Sequence, residues 1–500
     1  MPRFCLPGYL VFALSCFVVP VSAATLITSA SVTPGFIYTD NVCLTADDEQ
    51  GEWIGIVTPA GKVDAESSRI KLSVDGSIQV NTLTDGKLED LGCNPQGFGN
   101  REQFAPSLSA NAGAIMVENW LFLDARANIT QNSVTPFARG GNDPLNTNGN
   151  TNTTYDYAIS PYIARRIRDL AVINLRYTWD DQVNSADVVG DSSEQRVDAL
   201  LESVPNRSKF NWGLQGNYSK VSYSDTPGRA TGEDNELKSA QINLGYQLDR
   251  AWQVNGFFGQ EWNDFVSSQD DIDGTYWDVG LRWTPNGRTT VDVGAGERFF
   301  GNNPRFSISH RHKRHAFNAN YARTLTYDRD IRTLADSPPL DPGFPPPPGV
   351  NPGETSLSNS PILDERFTIG YSYLARITGF GISGFYSDQT KQGRDDDFAF
   401  TESTFSGVSV SVERELSRKL SLQAGVNWNK QEPKDRGDGI GSLNVSETWI
   451  GTLSASRQLS TKLNLSLTYQ YTDRQSDSAF DRALNEYTEN RFTLDLRIDL

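Results

Sequence analysis

The sequence predicts an all-β protein, a transmembrane antiparallel β-barrel with short periplasmic turns and long acidic outer loops. Three observations predict this fold. After residue 24 no run approaches the ~18 to 20 consecutive apolar residues that a membrane-spanning helix requires. Apolar and polar residues alternate with period two in many segments. Short polar turns also alternate with long polar connections, and counting strands between them gives about 22, or roughly 18 if doubtful strands are merged.

The N-terminus predicts a secretory signal peptide over residues 1–23, which leaves residues 24–500 for a single barrel domain. Arg3 precedes an apolar run from Tyr9 to Val19, and Val21-Ser22-Ala23 forms a small-x-small cleavage site. Cys16 allows a second interpretation as a lipid-attachment cysteine. The preceding Ala13-Leu14-Ser15 is a poor lipobox, however, so we favour cleavage after Ala23.

Three segments show the strand alternation most clearly: Arg69 to Asn81, Leu463 to Thr472 and the C-terminal Arg491 to Leu500. Each has one apolar face and one polar face. The first strand is expected near residues 29–38. The segment Gln195 to Ser203 also fits a helical stripe, but its alternation favours a strand. A water-soluble sandwich shows the same alternation, so this pattern alone is not decisive.

The lengths of the connections distinguish a barrel better, because outer-membrane barrels have short turns at one rim and long loops at the other. The predicted short turns are Ser67-Ser68, Glu118-Asn119, Arg166 to Asp169, Pro205 to Ser208, Asp249-Arg250, Pro285 to Arg288, His312 to His315, Arg376-Ile377, Ser417-Arg418 and Ser460-Thr461. The longer connections include Asp85 to Gln103, Asn132 to Asn152, Asp225 to Glu236, Asp328 to Pro361 and Arg474 to Glu489.

Tryptophan placement is an independent indication of a membrane barrel, because tryptophan prefers the two membrane interfaces. Nine of the ten tryptophans fall near the ends of predicted strands, and only Trp449 is expected in mid-strand. The nine are Trp53, Trp120, Trp179, Trp212, Trp252, Trp262, Trp277, Trp283 and Trp428. Core tryptophans of a soluble β-protein would favour strand centres.

Charge is sorted along the chain, whose formal net charge is −17. This acidic balance excludes a general nucleic-acid binder. The short turns are rich in arginine and lysine, whereas the long loops are expected to carry acidic groups such as Asp47-Asp48-Glu49, Asp180-Asp181 and Asp395-Asp396-Asp397. The acids have two open interpretations: they keep the loops solvated, or they bind a divalent cation or sugar.

The only histidines are His310, His312 and His315, which lie in one basic segment. Metal capture is conceivable, but the neighbouring arginines and lysine would repel a cation, so a basic turn is the preferred interpretation. We expect no metal site, no cofactor and no enzymatic activity, because a Ser-His-acid triad has no other histidine to use. Cys43 and Cys93 remain after processing and are predicted to form a disulfide, the alternative being two separate thiols.

A proline-rich stretch, Pro338 to Pro352, lies within the predicted loop at residues 328–361. Such chain is stiff and cannot extend a sheet ladder, so it forms either an exposed arm or a strut folded over the mouth. The candidate pore-gating residues are Pro338, Pro339, Phe344, Pro345, Pro346, Pro347 and Pro348.

Four segments resemble one family, the outer-membrane β-barrel proteins associated with PEP-CTERM and exosortase systems, which are encoded near exopolysaccharide genes. The segments are Thr39 to Val42, Asn119 to Ala125, Gly296 to Asn302 and Phe306 to Arg311. The resemblance implies an outer-membrane location and a link to polysaccharide or protein export. The chain departs from expectation in its final Leu500, where an aromatic is usual, and in the proline-rich loop.

We therefore expect a non-enzymatic outer-membrane barrel that acts as a conduit or docking component for exopolysaccharide or exported protein. Its expected partners are outer-membrane lipid and export machinery, with no nucleic acid. An N-terminal plug domain is not expected, because strand pattern begins close to the cleavage site. The alternatives are a barrel enzyme acting on lipid or polysaccharide, a general diffusion porin and a soluble secreted β-protein.

Overall fold

A computed structural model describes residues 25–83, 93, 104–140, 145, 149–187, 189–204, 208–224, 234–267, 269, 271–332, 360–393, 402–434, 445–477 and 485–500. The predicted signal peptide and the proline-rich stretch Pro338 to Pro352 lie outside these residues. Among the described residues, no helix has the length and apolar character needed to cross a membrane.

The described chain is almost entirely β-strand, with one short helix. The strands are β1 (Thr25–Thr39), β2 (Glu52–Glu66), β3 (Ile70–Leu83), β4 (Phe104–Val117), β5 (Leu121–Ser133), β6 (Thr151–Ile167), β7 (Ala171–Asn184), β8 (Ser192–Ser203), β9 (Phe210–Tyr223), β10 (Asn235–Gln247), β11 (Trp252–Asp264), β12 (Gly274–Asn286), β13 (Thr289–Arg298), β14 (Gly301–Asn302), β15 (Arg305–His312), β16 (His315–Thr326), β17 (Ile362–Leu374), β18 (Thr378–Lys391), β19 (Glu402–Ser417), β20 (Leu420–Lys434), β21 (Ser446–Gln458), β22 (Leu463–Ser476) and β23 (Tyr487–Asp499). The helix, α1 (Asp328–Arg332), follows β16.

These strands form one closed antiparallel barrel. In the described part of the chain, twenty-two long strands each pair with their sequence neighbours, and β14 is only a two-residue addition beside β13. The barrel closes where β1 pairs with β23, from Ser31 opposite Asp499 to Thr39 opposite Arg491. The predicted fold class and strand number are confirmed, and the ambiguous segment Gln195 to Ser203 lies within strand β8.

Alternation along the strands gives the barrel an apolar exterior and a polar lumen. In β7, Leu175 and Tyr177 face outward and are 41% and 40% exposed. Their neighbours Arg176 and Asp180 face the lumen, where both form ion pairs. A band of apolar residues suits contact with lipid chains, whereas polar residues suit a lumen that contains water.

The tryptophans lie toward the two rims, with one correction to the prediction. Trp449 is not in mid-strand, because β21 begins at Ser446 and places it fourth in the strand. It pairs with Trp428 on β20, with ring centroids 6.4 Å apart. At the opposite rim Trp252 stacks on Trp283, with centroids 5.6 Å apart. This arrangement is typical of interfacial aromatic belts.

Candidate functional site

The outer mouth of the barrel, at the rim with the long connections, is crossed by chain that folds inward. Two segments do this. One is the mouth helix, which we define as α1 (Asp328–Arg332) together with the preceding Tyr327. The other is the crossing segment, residues 134–140 of the connection between β5 and β6. Each begins on one wall of the barrel and contacts strands on another.

The mouth helix is anchored to the far wall by a buried ion pair. The Arg329 guanidinium contacts the Asp180 carboxylate on β7 and donates a 3.0 Å hydrogen bond to the Ser192 hydroxyl on β8. Both charged side chains are only 3% exposed. Removing one partner of such a pair costs about 3 to 5 kcal/mol, because it leaves a buried charge without compensation. Arg329 therefore ties the β16–β17 side of the barrel to β7 and β8.

Three further contacts hold the same helix. The Tyr223 hydroxyl on β9 donates to Asp328 at 3.3 Å, and Tyr327 packs with Tyr223 and Val221 in a buried apolar cluster. The Arg332 guanidinium donates to the carbonyl oxygen of Ser133 at 3.4 Å. Together with the Arg329 contacts, these hold the helix against four strands, β5, β7, β8 and β9.

The crossing segment reaches the opposite side of the mouth. Arg139, 1% exposed, donates to the carbonyl oxygen of Leu44 at 2.7 Å. Phe137 stacks on Phe405 of β19, with ring centroids 5.9 Å apart. Arg474 of β22 donates to the carbonyl oxygen of Pro136 at 3.3 Å. Together with the mouth helix, this segment places side chains across the outer mouth from two directions.

The two predicted cysteines meet beside the crossing segment. Cys43 and Cys93 form a disulfide, with a Cα–Cα distance of 5.1 Å and a sequence separation of 50 residues. Both belong to a buried cluster that includes Ile54 on β2 and Leu145 from the β5–β6 connection. The disulfide links the β1–β2 connection to the chain that follows β3.

A cavity of about 1310 Å³ lies in the lumen beneath the mouth helix, with Tyr327 and Asp330 at its roof. Eight acidic and six basic residues line it. Several form ion pairs along the wall: Arg298 with Glu261 at 2.6 Å, Arg176 with Asp124 at 2.8 Å and Arg196 with Glu194 at 2.8 Å.

The roof carboxyl of Asp330 has an unusual protonation equilibrium. Burial, followed by the nearby Glu194 carboxylate, raises its pKa to about 6, although Arg196 and Arg329 oppose the shift. A carboxyl with this pKa changes its charge within the pH range in which bacteria grow. The mouth helix therefore carries a titratable group at the point where it meets the cavity.

The lumen has two chemically different walls. The wall from β5 to β13 carries the acidic and basic ladder described above. From β18 to β22 the lumen-facing side chains are mainly uncharged hydroxyls and amides. They include Ser383, Ser409, Ser411, Asn427, Asn429, Thr452, Ser454, Ser456, Thr468 and Gln470.

Some predicted site residues lie elsewhere than expected. Asp180 and Asp181 are not loop residues but belong to β7, where Asp180 faces the lumen and Asp181 accepts a hydrogen bond from Tyr157. The error arose because β7 continues as a polar strand toward the mouth. The seven gating candidates from Pro338 to Pro348 lie outside the described residues. Asp47 to Glu49 do lie in a connection, between β1 and β2.

The residues that hold chain across the mouth were missed by sequence reasoning. Arg329 and Arg139 lie in polar contexts without periodicity, where a buried arginine cannot be distinguished from an exposed one. Arg474 was expected to begin a long connection but belongs to β22. The only available signal was the charged run Asp328 to Arg332 after a strand. In the described part of the chain, no group of three or more His, Cys, Asp and Glu side chains is arranged to hold a metal ion.

Comparisons with known proteins identify the fold. No protein-family model matches the chain, and no curated protein matches it. Among solved structures, a mutant of the ferric enterobactin receptor of Pseudomonas aeruginosa is similar, with a TM-score of 0.53 and 11% identity over 96% of this chain and 82% of its own. The FrpB iron transporter of Neisseria meningitidis (F3-3 variant) has a TM-score of 0.54 and 9% identity over 94% and 81%.

At these identities the likeness shows the fold alone. A closed antiparallel barrel of twenty-two long strands, with an apolar exterior and a polar lumen, defines the chain as a bacterial outer-membrane β-barrel protein.

Proposed function

We propose that the protein is a non-enzymatic conduit of the outer membrane for exopolysaccharide or exported protein, with an outer mouth that opens and closes. The anchoring of the mouth helix by Arg329 and Asp180 is the observation that carries this proposal. The helix is held by a small number of side-chain contacts and not by strand pairing, so it can leave the mouth without breaking the barrel wall.

The choice of cargo rests on the resemblance to barrels of exosortase and PEP-CTERM systems, carried by segments such as Asn119 to Ala125 and Gly296 to Asn302. The uncharged wall from β18 to β22 supports it, because hydroxyl and amide groups can exchange hydrogen bonds with a moving polar chain without holding it as an ion pair would. A general diffusion porin would be open without any release step.

Conductance in planar bilayers tests the conduit. The wild-type barrel is expected to conduct weakly, and Arg329→Met should raise its conductance at least several-fold, because Asp180 keeps Arg126 as a partner while the helix loses its anchor. The matched control is Arg497→Met, which removes an exposed pair with Asp499 at the short-turn rim. Equal conductance of all three proteins would contradict the gated conduit.

A second variant examines the proline-rich segment. If Pro338 to Pro352 help to cover the mouth, deleting them should raise conductance while heat-modifiable migration, the sign of a folded barrel, is kept. If neither the deletion variant nor Arg329→Met conducts, a docking role in the export system would explain the protein better than a conduit.

A further inference from the structure

The histidine-rich turn of the short-turn rim is a cluster of cationic and imidazole groups that the conduit does not use. We define the basic corner as Arg288, in the turn before β13, and His310, His312, Lys313, Arg314 and His315, in and beside the turn between β15 and β16. All six side chains are exposed.

The histidines of the basic corner lie on the lipid-facing side of the barrel. His310 and His312 share their strand face with Phe306 and Ile308, and His315 shares its face with Phe317. On the adjoining β17, Tyr371 and Tyr373 continue the same outward face. The His315 ring lies 4.8 Å from the Tyr373 ring. An apolar and aromatic surface therefore runs directly into the basic corner.

Hydrogen bonds orient the imidazole rings. The Arg288 guanidinium can only donate, so its 3.3 Å contact makes His312 Nδ1 an acceptor and leaves its Nε2–H as a donor. The His310 and His312 rings are nearly parallel, at 8°, with centroids 6.5 Å apart. His315 Nδ1 lies 2.7 Å from the Tyr371 hydroxyl. His312 thus presents an N–H donor beside three cationic groups.

Among the described residues, the cations of the basic corner lack acidic partners, unlike two arginines in other turns of the same rim. Arg69 pairs with Glu118 at 3.0 Å, and Arg166 pairs with Asp169 at 3.2 Å. Within the described residues, Arg288, Lys313 and Arg314 form no salt bridge with a carboxylate. Their positive charge is therefore available to an external anion.

We propose that the basic corner binds the phosphate headgroup of an anionic phospholipid in the periplasmic leaflet of the outer membrane. Guanidinium, ammonium and imidazole N–H groups are the donors that phosphate oxygens accept. The acyl chains lie along Ile308, Phe317 and the tyrosines of β17. A soluble phosphate would gain nothing from this adjoining apolar face, so the lipid is the favoured source of the anion.

The test measures lipid binding to the detergent-solubilised full-length barrel by native mass spectrometry, with cardiolipin and phosphatidylcholine as probes. We expect a preference for cardiolipin. The triple variant Arg288→Gln, Lys313→Gln, Arg314→Gln should lower cardiolipin affinity at least tenfold, because it removes the three permanent cations of the basic corner. The control replaces Arg166, Arg168 and Arg250 with glutamine, which removes the same charge from other turns of the rim.

Further variants and probes separate lipid recognition from general charge effects. Replacing Arg288 and Arg314 with lysine should retain most of the preference. Glycerol phosphate and inorganic phosphate should compete poorly. An equal loss in the control triple variant, no preference for cardiolipin, or competition by soluble phosphate at similar concentrations would overturn the proposal. None of these outcomes depends on conductance, so the conduit and the lipid site can fail separately.

Discussion

At the residue scale, Asp180 is a partner shared by the barrel wall and the mouth helix. Its carboxylate accepts hydrogen bonds from Arg126 and from Arg329 of the mouth helix. Arg126 also contacts Asp156 at 3.5 Å. Losing Arg329 leaves Asp180 paired with Arg126, whereas losing Asp180 leaves Arg329 buried without a carboxylate. Arg329→Met is therefore the cleaner way to release the helix, and Asp180→Asn should also disturb the barrel wall.

The protonation of Asp330 predicts that closure depends on pH. Its pKa in the closed state is raised to about 6, so the closed state binds this proton more tightly than an open state in which the helix moves Asp330 away from Glu194. Protonation of Asp330 therefore stabilises the closed state fully when the pH is below the ordinary pKa of an aspartate. This stabilisation is lost as the pH rises through about 6. The groups that face Asp330 are Glu194, Arg196, Arg329 and Asp180.

We expect the open probability in planar bilayers to be higher at about pH 7.5 than at about pH 5. Asp330→Asn should abolish most of this difference, since the amide does not ionise. The matched control Asp473→Asn, on β22, should keep it. An unchanged pH dependence in Asp330→Asn would assign the effect to another group.

The pairing of Cys43 and Cys93 predicts a covalently linked peptide. Mass spectrometry of a non-reduced digest should find it, and free thiols at both positions in protein purified under oxidising conditions would contradict the prediction. Replacing both cysteines with alanine should leave the barrel folded. It should make the outer connections easier to cleave with protease, because the loop-entropy contribution of a disulfide of this span is about 4 kcal/mol.

At the element scale, the strands could be predicted but the chain that crosses the mouth could not. Alternation, as in Arg69 to Asn81, identifies a strand because one face meets lipid and the other meets the lumen. The mouth helix and crossing segment follow no such period, since their positions depend on distant partners such as Asp180 and Phe405. Asp180 itself was misplaced because a lumen-facing acid on a strand looks like a loop acid.

Close strand packing predicts where the barrel wall does not tolerate a side chain. A Cβ added at Gly296 on β13 would overlap the carbonyl oxygen of Trp277 and lie 2.9 Å from the Cα of Asp278, both backbone atoms of β12. We expect Gly296→Ala to destabilise the barrel by about 1 to 3 kcal/mol and to reduce the heat-modifiable fraction. Gly451→Ala is the control, because nothing lies within 4 Å of its added Cβ. Equal folding of both variants would show that β12 and β13 can separate.

At the scale of the whole molecule, the barrel is electrically asymmetric around its circumference and along its axis. Ion pairs line the lumen from β5 to β13, whereas from β18 to β22 the lumen is lined mainly by uncharged groups between the two rims. Along the axis, the basic corner lies at the short-turn rim and Asp47 to Glu49 lie at the other. A polar chain moving through the lumen would therefore meet a charged wall on one side and a neutral wall on the other.

The excess of acidic over basic residues in the cavity predicts cation selectivity. With eight acids against six bases, the cavity attracts cations within about a Debye length, ~8 Å at physiological salt. Reversal potentials in the Arg329→Met barrel should therefore favour potassium over chloride, and the preference should weaken as salt rises. Adding Asp64→Asn and Glu66→Gln, which both line the cavity, should lower the selectivity further. Adding Asp181→Asn, which removes one negative charge from the outward face of β7, should leave the selectivity unchanged. Chloride preference in the open barrel, or equal effects of these variants, would mean that ions follow a path outside this cavity, along the neutral wall.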